Sequence, residues 1–402
     1  MQKLRNILLT ALVTCGLFSV IAYDAMKLVD SSSDEQTYSA LEGRKLQTFP
    51  ELNIASVLNS QFQNKFEKYV ADSVPLRSKI MLGNAFIQRS SIQAASLLFG
   101  FDSYPTFYGS NYCYTTSTDR IEEMPALQSS KSTEALNSSA AMFNSVAESH
   151  PDQNWYIYLP DRTSYSEASA LHSLESNTMD YNYYENNFIG KLSDEFTFID
   201  GSYASLEEHN DDFFSTDHHW QIQGAYKAYV KIAKAMGCTP IQANGFTKSC
   251  SSKFWGSCAR NGLATIGKAD TIYDIEYAAS KLTVYINGKK NEIEALDKIY
   301  SSDTYKKADK YSNVYAEWFH TDYGTVTIKN SKKEGSLLIV GDSFTNNCER
   351  LYAENYGTVY VVDPRHTNET LNGFLESHQV DDVLIMLCGG NYTTQATLNA
   401  LK

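Results

Sequence analysis

The sequence is short of basic residues, and that shortage excludes one class of partner. Lys and Arg number 34 against 47 Asp and Glu, which gives a formal net charge of −13. Nucleic-acid binding requires a basic face that neutralises phosphates, so we expect no nucleic-acid partner. Cysteine is scarce as well, and the 7 that occur show no CxxC or Cys/His spacing typical of a zinc site. Hydrophobic residues make up 43% of the chain, which is typical of a folded globular protein.

Long apolar runs are missing except near the N-terminus. Lys3 and Arg5 precede an uncharged stretch, residues 7–22, that is short for a membrane-spanning helix. We interpret residues 1–23 as an export segment, and the sequence leaves open whether it is a cleaved signal peptide or an uncleaved signal anchor. Residues 24–40 are polar and are predicted to be a linker. The protein is therefore expected to be extracytoplasmic, either secreted or anchored to the cell membrane by this segment.

Such a compartment permits disulfides, and an even number of cysteines follows the export segment. Their pairing cannot be deduced from the sequence, and free thiols are the alternative. The six residues are Cys113, Cys238, Cys250, Cys258, Cys348 and Cys388.

The C-terminal stretch contains the most regular pattern in the chain. Three apolar runs alternate there with segments of helical character, and fully apolar strands of this kind are typical of a parallel sheet covered on both faces. Functional residues of such sheets lie at the carboxyl ends of the strands, which is where Ser343, Asp363 and Asn391 fall. The runs are residues 336–340, 359–362 and 383–387. Upstream, the patterns predict helices within 51–99, strands at 154–159, 196–199 and 323–329, and an Asn-Gly hairpin over 282–293.

Ser343 is the candidate nucleophile. It follows Gly341 and Asp342 on a predicted strand-to-helix turn, which exposes a serine hydroxyl at the top of a sheet. The N–H of Ser343 and the N-terminus of the helix can stabilise an oxyanion there. The alternative is an ordinary turn in which Ser343 only caps a helix.

The run Asp217-His218-His219-Trp220 supplies the candidate base. Thr216 is predicted to be the N-cap of a helix that contains this run. Residues two apart do not share a helix face, but Asp217 and His219 can converge if the chain is still turning at the helix entry. Asp217 would then orient His219, which would take the proton of Ser343. The alternatives are a capping Asp with a structural His, or a metal site formed by Asp211, Asp212, Asp217, His218 and His219.

These motifs resemble the bacterial DHHW protein family, whose relatives are SGNH-hydrolase-like proteins that acetylate alginate and other exopolysaccharides. The resemblance covers most of the chain after the export segment. It is carried by two motifs, Asp217-His218-His219-Trp220-Gln221 and Gly341-Asp342-Ser343-Phe344. Weaker likenesses occur in the segments 42–50, 66–77 and 254–257, with Gly43 where the family usually has Asn.

The resemblance implies an SGNH-hydrolase-like three-layer α/β/α domain over residues 41–402, with a mainly parallel sheet and a hairpin-containing insertion at about 238–330. It implies a Ser343, His219 and Asp217 triad that needs no metal and no cofactor. The oxyanion hole would use the Ser343 amide, with Gly256 or Ser257 and an Asn (Asn391, Asn347 or Asn313) as partners. His218 would support the site or contact substrate, and Trp220, Arg77 and Arg365 are candidate substrate contacts. A buried ion pair is the alternative for either Arg.

The implied function is an acetylesterase or O-acetyltransferase that acts on O-acetyl groups of a cell-surface polysaccharide. The expected partner is a cell-surface glycan or an acylated saccharide. An uncleaved N-terminal helix would also bind the membrane. A transferase would in addition need a membrane protein that supplies the acyl group. The second hypothesis is a non-catalytic SGNH scaffold that binds glycan or assists envelope assembly.

Overall fold

The structure is a computed structural model, and its description covers ten stretches of the chain. They are residues 38–100, 106–108, 111–115, 118–169, 171–172, 177–248, 254–263, 269–291, 311–319 and 321–402. The predicted export segment 1–23, most of the predicted linker and Cys250 lie outside the described residues. No helix within the described stretches is long and apolar enough to cross a membrane. The chain divides into two compact units, one up to Ala95 and one from Ser96 to Lys402.

The first unit is held by ion pairs between residues of the segments that resemble the family. Arg44 Nη2 lies 2.6 Å from Asp72 Oδ1 and 3.1 Å from Glu42 Oε1, and Arg77 bonds the second oxygen of Glu42. The helices predicted within 51–99 are present, and the first begins with a capping box at Asn53. The elements are β1 Tyr38–Ser39, β2 Arg44–Lys45, α1 Ile54–Leu58, α2 Gln61–Asp72 and α3 Arg77–Phe99, and residues 96–99 of α3 belong to the second unit.

The second unit is built on an eight-stranded sheet. Its strands are β6 Asn154–Tyr158, β7 Phe196–Ile199, β10 Thr283–Ile286, β11 Lys289–Asn291, β12 Thr325–Lys329, β13 Ser336–Gly341, β14 Thr358–Val362 and β15 Asp382–Met386. Their order in the sheet is β11-β10-β12-β14-β13-β15-β6-β7. The five strands from β14 to β7 are parallel, and the other three are antiparallel to their neighbours. Every strand predicted from the sequence is therefore present in this sheet.

The predicted hairpin does not stand apart from the main sheet. Asn287 and Gly288 have φ of 48° and 74°, the left-handed values that a type I′ turn requires at both central positions. The strand Thr283–Ile286 pairs with Thr325–Lys329, which in turn pairs with Thr358–Val362. This part of the predicted insertion 238–330 thus extends the central sheet at its antiparallel edge.

Helices cover both faces of the sheet, because successive residues of its strands point to opposite sides. In β13, Leu337 and Ile339 belong to one hydrophobic core, and Leu338 and Val340 belong to the other. The helices are α4 Ser130–Ser149, α5 Tyr181–Asn187, α6 Leu206–Asp212, α7 Ile222–Ala235, α8 Ser257–Asn261, α9 Val314–Phe319, α10 Glu349–Tyr352, α11 Leu371–Ser377 and α12 Gln395–Ala400. Helices α7 and α10 contribute residues to the core that contains Leu337, and helices α4 and α11 contribute residues to the core that contains Leu338. The arrangement is the predicted three-layer α/β/α architecture.

Two small sheets complete the described part of this unit. The strands β3 Thr106–Tyr108, β4 Tyr112–Thr115 and β5 Arg120–Glu123 form an antiparallel sheet, and β8 Gly245–Lys248 pairs with β9 Tyr273–Glu276. Short 3-10 helices span Ile189–Lys191 and Gly389–Thr393. The cysteines that the structure describes, Cys113, Cys238, Cys258, Cys348 and Cys388, are free thiols.

Candidate active site

The candidate site lies at the carboxyl ends of the parallel strands, where the doubly covered sheet leaves room for side chains. Ser343 follows β13, and His219 and Asp217 lie in the segment that precedes α7. His219 Nδ1 lies 2.6 Å from Asp217 Oδ1, and His219 Nε2 lies 2.8 Å from Ser343 Oγ. Asp217 is 4% exposed and His219 is 6% exposed. This chain of hydrogen bonds has the connectivity of a Ser-His-Asp triad.

Asp217 and His219 converge because the chain bends before the helix. The helix α7 begins at Ile222 with Gln221 at its N-cap, so the prediction of Thr216 as the N-cap is wrong. His219 N–H also donates to Asp217 Oδ1, over 3.1 Å, which closes the bend around the carboxylate. The two side chains pair because neither is in the helix.

Asp270 holds this bend from the far side. Its carboxylate accepts the backbone N–H of Ser215 at 2.8 Å and of Thr216 at 2.7 Å, and it also bonds the Thr216 hydroxyl. Burial raises the pKa of Asp270 to about 6, against the lowering effect of these bonds. Arg120 of β5 supports the preceding residues, since it donates to the carbonyls of Phe213 and Phe214.

The second carboxylate oxygen of Asp217, Oδ2, accepts a hydrogen bond from the start of α8. Ser257 N–H donates to Asp217 Oδ2 over 2.7 Å, and Gly256 N–H donates to Thr216 Oγ1 over 2.9 Å. Burial by itself raises the pKa of Asp217, but the charges and hydrogen bonds of His219, His218 and the Ser257 amide lower it well below its usual range. Asp217 is therefore ionised, as a residue that orients and stabilises an imidazolium must be.

The backbone of the bend lies so close to Gly256 that only glycine fits at this position. A Cβ on Gly256 would lie 2.3 Å from Asp217 Cβ and 2.6 Å from the Thr216 carbonyl oxygen. Both distances are far below van der Waals contact, and one of the atoms is backbone. No larger residue fits here without moving Asp217.

Tyr315 of α9 fixes the other face of the imidazole. Its ring is stacked on that of His219 with 3.8 Å between centroids and 1° between planes. The Tyr315 hydroxyl donates to the carbonyl oxygen of Ser343 over 2.9 Å. One side chain thus contacts both the ring of His219 and the backbone of Ser343, and no sequence motif identified it.

Asp342 ties the turn of Ser343 to the neighbouring strand end. Its Oδ1 accepts Phe344 N–H at 3.0 Å, and its Oδ2 accepts Cys388 N–H at 2.7 Å and Asn391 Nδ2 at 2.6 Å. The helix predicted after Ser343 is replaced by turns up to the short α10. The turn is therefore stabilised by Asp342 rather than by a continuous helix.

The residues predicted to form the oxyanion hole divide into two groups. The amides of Gly256 and Ser257 already donate to Thr216 and Asp217, so their assignment as oxyanion donors is corrected to support of the bend. Asn347 Oδ1 accepts the indole N–H of Trp220, Asn347 Nδ2 is buried without a partner among the described residues, and Asn313 is exposed. Asn391 Nδ2 gives one hydrogen to Asp342 and retains the second. The Ser343 N–H donates to no atom of the residues that the structure describes.

His218 lies directly against the triad. Its Nδ1 is 2.6 Å from Ser257 Oγ, and its ring centroid is 3.8 Å from that of His219. Burial, and then the charge of His219, lower the pKa of His218 well below its usual range, so this imidazole is neutral. His218 thus contacts both His219 and Ser257, and the sequence alternatives of a supporting role or a substrate contact stay predictions.

The three predicted substrate contacts have structural partners instead. Trp220 is 1% exposed, and its indole N–H donates to the Phe344 carbonyl over 3.0 Å, so its predicted contact with substrate is corrected to packing beneath the site. Arg77 pairs with Glu42 within the first unit. Arg365 pairs with Asp363 at 2.7 Å and with Asp322 at 3.0 Å. The ion-pair alternative therefore describes both arginines.

Among the residues of the metal-site alternative, Asp217, His218 and His219 have ligand atoms within 4.8 Å of one another, but several of the proposed ligands already have other partners. Asp212 pairs with Lys227 at 2.8 Å. Both oxygens of Asp217 accept hydrogen bonds, and His219 Nε2 faces Ser343. A second group of metal-capable side chains in the described residues, Asp322, Asp363 and His366, surrounds Arg365, whose guanidinium bonds both carboxylates. A cationic side chain thus already supplies the positive charge there.

The comparisons with known proteins agree with the motifs. Residues 202–362 match the family model described as DHHW protein, which confirms the predicted resemblance. A crystal structure of a DHHW family protein from Eubacterium siraeum is similar with a TM-score of 0.57 and 17% identity, covering 72% of this chain and 93% of that one. The comparison with curated proteins returns no match.

Two structures of Bacillus cereus PatB1 are similar as well. The one with a sulfonyl adduct has a TM-score of 0.56 and 18% identity, covering 71% of this chain and 96% of that one. The other has a TM-score of 0.55 and 19% identity, covering 71% and 99%. At these identities the likeness shows a common fold, which confirms the predicted architecture.

Proposed function

We propose that the protein is a Ser-His-Asp acyl-ester enzyme that acts on O-acetyl groups of a cell-surface polysaccharide. The observation that carries the proposal is the unbroken chain from Asp217 to Ser343, with 2.6 Å and 2.8 Å on either side of the His219 ring. A capping serine or a structural histidine has no need of this connectivity. The resemblance to the DHHW family, with its O-acetylating relatives, supports the choice of an acetyl group.

The first chemical step uses the residues in their observed contacts. Ser343 Oγ attacks the ester carbonyl while His219 Nε2 takes its proton, and Asp217 stabilises the imidazolium. The oxyanion accepts hydrogen bonds from the Ser343 N–H and from the remaining hydrogen of Asn391 Nδ2. His219 then protonates the leaving alcohol, and Ser343 carries the acetyl group. Water or a sugar hydroxyl completes the reaction, which makes the protein an acetylesterase or an O-acetyltransferase.

The proposed setting follows from the N-terminal sequence. An export segment at residues 1–23 would place the enzyme outside the cytoplasm, secreted or anchored to the cell membrane. As a transferase it would depend on a membrane protein that supplies the acetyl group. The sulfonyl adduct in the PatB1 structure suggests a practical reagent, because sulfonyl fluorides modify activated serine hydroxyls.

The test is hydrolysis of 4-nitrophenyl acetate by the full-length chain and by Ser343→Ala and His219→Ala. Loss of a nucleophile or its base costs about 10⁶-fold in kcat in a serine protease, so both variants should lose activity by several orders of magnitude. Ser91→Ala and His172→Ala, which change exposed residues, are the matched controls and should keep the parent rate. A parent without turnover, or variants as active as the parent, would contradict the proposal. An inert parent that still binds glycan would favour the non-catalytic scaffold.

A further inference from the structure

Tyr315 packs face to face against His219 but takes no part in the proton transfer between Ser343 and His219. The centroids of the two rings lie 3.8 Å apart, and the ring planes differ by 1°. Carbon atoms in contact are about 3.5 Å apart or more, so parallel rings at this centroid separation overlap over most of their area. The imidazole of His219 therefore lies directly over the face of the Tyr315 ring.

This arrangement is less favourable for two neutral rings than for a cation over a neutral ring. Neutral aromatic pairs prefer offset or edge-to-face arrangements with centroids about 4.5–7 Å apart, because the faces of both rings carry partial negative charge. A cation is instead attracted to the face of a tyrosine ring when it lies within about 6 Å of the centroid. The observed overlap therefore stabilises His219 more as an imidazolium than as a neutral imidazole.

The surroundings of Tyr315 strengthen an attraction of this kind. The residue is 2% exposed, and an aromatic face attracts a cation more strongly when water is excluded. Burial raises the pKa of the Tyr315 hydroxyl well above its usual range, so the ring stays uncharged over the whole pH range in which a histidine titrates. The hydroxyl donates to the Ser343 carbonyl oxygen over 2.9 Å, and this bond fixes the ring in its stacked orientation.

The other groups that contact the His219 ring differ from Tyr315 in charge or in geometry. Asp217 bonds Nδ1 of His219 and is ionised. The centroid of the His218 ring is also 3.8 Å away, but its plane is tilted by 36°, and burial followed by the charge of His219 lowers its pKa and keeps it neutral. The ring of Phe344 is 5.3 Å away and tilted by 47°. Among the described residues, Tyr315 is therefore the ring that meets the imidazole face to face.

We propose that Tyr315 is a positioning residue of the reaction and that its ring face stabilises the imidazolium of His219. The proposal rests on the proposed function. When His219 Nε2 takes the proton of Ser343 Oγ, the positive charge that forms on the imidazole lies over the face of Tyr315. The contact is stronger in the charged state than in the neutral one, so it lowers the barrier to the first step instead of only stabilising the resting enzyme.

The test measures the protonation of His219 and the reaction separately, in full-length variants. Tyr315→Phe keeps the ring face and loses the hydroxyl, whereas Tyr315→Leu loses both. The titration midpoint of the His219 ring, followed by NMR, should stay near that of the parent in Tyr315→Phe and fall by about 0.5–1 pH unit in Tyr315→Leu. The acid limb of the pH profile of kcat/KM for 4-nitrophenyl acetate should move by the same amount. We also expect kcat of Tyr315→Leu to be about tenfold below that of Tyr315→Phe.

Phe319→Leu is the matched control, because it removes another buried ring of α9 whose centroid lies 5.2 Å from that of Tyr315. It should leave the midpoint of His219 unchanged. If Tyr315→Leu does not fold, 3,4,5-trifluorophenylalanine placed at position 315 takes its place. This residue keeps the shape of phenylalanine and weakens the negative charge of the ring face, so the midpoint should again fall below that of Tyr315→Phe.

Equal midpoints in Tyr315→Phe and in the variant without the negative ring face, or an equal shift in Phe319→Leu, would overturn the proposal. If the parent hydrolyses no ester but the midpoints differ as described, the proposed function fails and the stabilisation of the imidazolium by Tyr315 stands. If the parent turns over and the midpoints are the same, the proposed function stands and this inference alone fails.

Discussion

Replacing Gly256 by alanine tests whether the loop at Gly256 packs directly against the bend at Asp217. The added Cβ would lie 2.3 Å from Asp217 Cβ and 2.6 Å from both Asp217 Cα and the Thr216 carbonyl. Ordinary contact between such atoms begins about 1 Å further out, and neither backbone can turn aside as a flexible side chain does. The bend must therefore move by about 1 Å, and Asp217 and His219 must move with it.

The expected magnitude follows from that displacement. A misplacement of about 1 Å in a catalytic group costs about 10²-fold in rate, and overpacking of this kind destabilises a protein by about 1–3 kcal/mol. We predict that Gly256→Ala lowers kcat/KM for 4-nitrophenyl acetate about 10²-fold while the chain remains folded. Thermal unfolding followed by circular dichroism measures the second effect separately.

The control is the same substitution where there is space. A Cβ on Gly83, within α3, meets no atom within 4 Å, so Gly83→Ala should keep the parent activity. Full activity of Gly256→Ala would contradict this prediction, because it would mean that the loop at 256 does not contact Asp217 closely. Complete unfolding of Gly256→Ala would also contradict the prediction, because it would mean that the added Cβ costs more than the expected loss of about 1–3 kcal/mol.

Three further predictions concern two groups that contact the site and one buried histidine of α6. Tyr315→Phe removes the hydroxyl that donates to Ser343 O but keeps the ring on His219, so kcat should fall about tenfold with KM little changed. Asp342→Asn loses part of the acceptor capacity that Asn391 and two backbone amides use, and we expect urea denaturation to show a loss of about 1–3 kcal/mol together with reduced activity. Burial lowers the pKa of His209 to about 3, so below about pH 6.5 the unfolded chain binds a proton that the folded chain does not. Stability should then decrease as pH falls, by about 1.4 kcal/mol per pH unit from this group, and His209→Phe should flatten that slope in urea titrations at pH 7 and pH 5.

The parts of the fold that were predictable are those with short-range causes. The apolar run at 336–340 has no polar face, so it could only be a strand buried on both sides. The Asn287-Gly288 pair supplies two residues that tolerate positive φ, which specifies the hairpin turn. Ser343 and His219 could be selected as candidates because their motifs are local, and the fold brings the two side chains within 2.8 Å although they are far apart along the chain.

The parts that were missed depend on distant residues or on ambiguous ones. Thr216 has the side chain of an N-cap, but the same hydroxyl serves equally well in a bend, and Asp270 and Gly256 decide between the two. Arg120 and Tyr315 belong to no motif, and only the assembled fold brings them to the site. Trp220 is adjacent to the triad in sequence, yet the turn from the bend into α7 directs its indole into the core.

The most direct test of the triad is to trap and locate the covalent intermediate. The full-length chain is mixed with 4-nitrophenyl acetate, quenched in acid within the first turnover, digested and mapped by mass spectrometry. We predict a single acetyl group on the peptide that contains Ser343, absent from Ser343→Ala and greatly reduced in His219→Ala. Acetylation confined to another residue, or equal labelling of Ser343 in the parent and in His219→Ala, would contradict it.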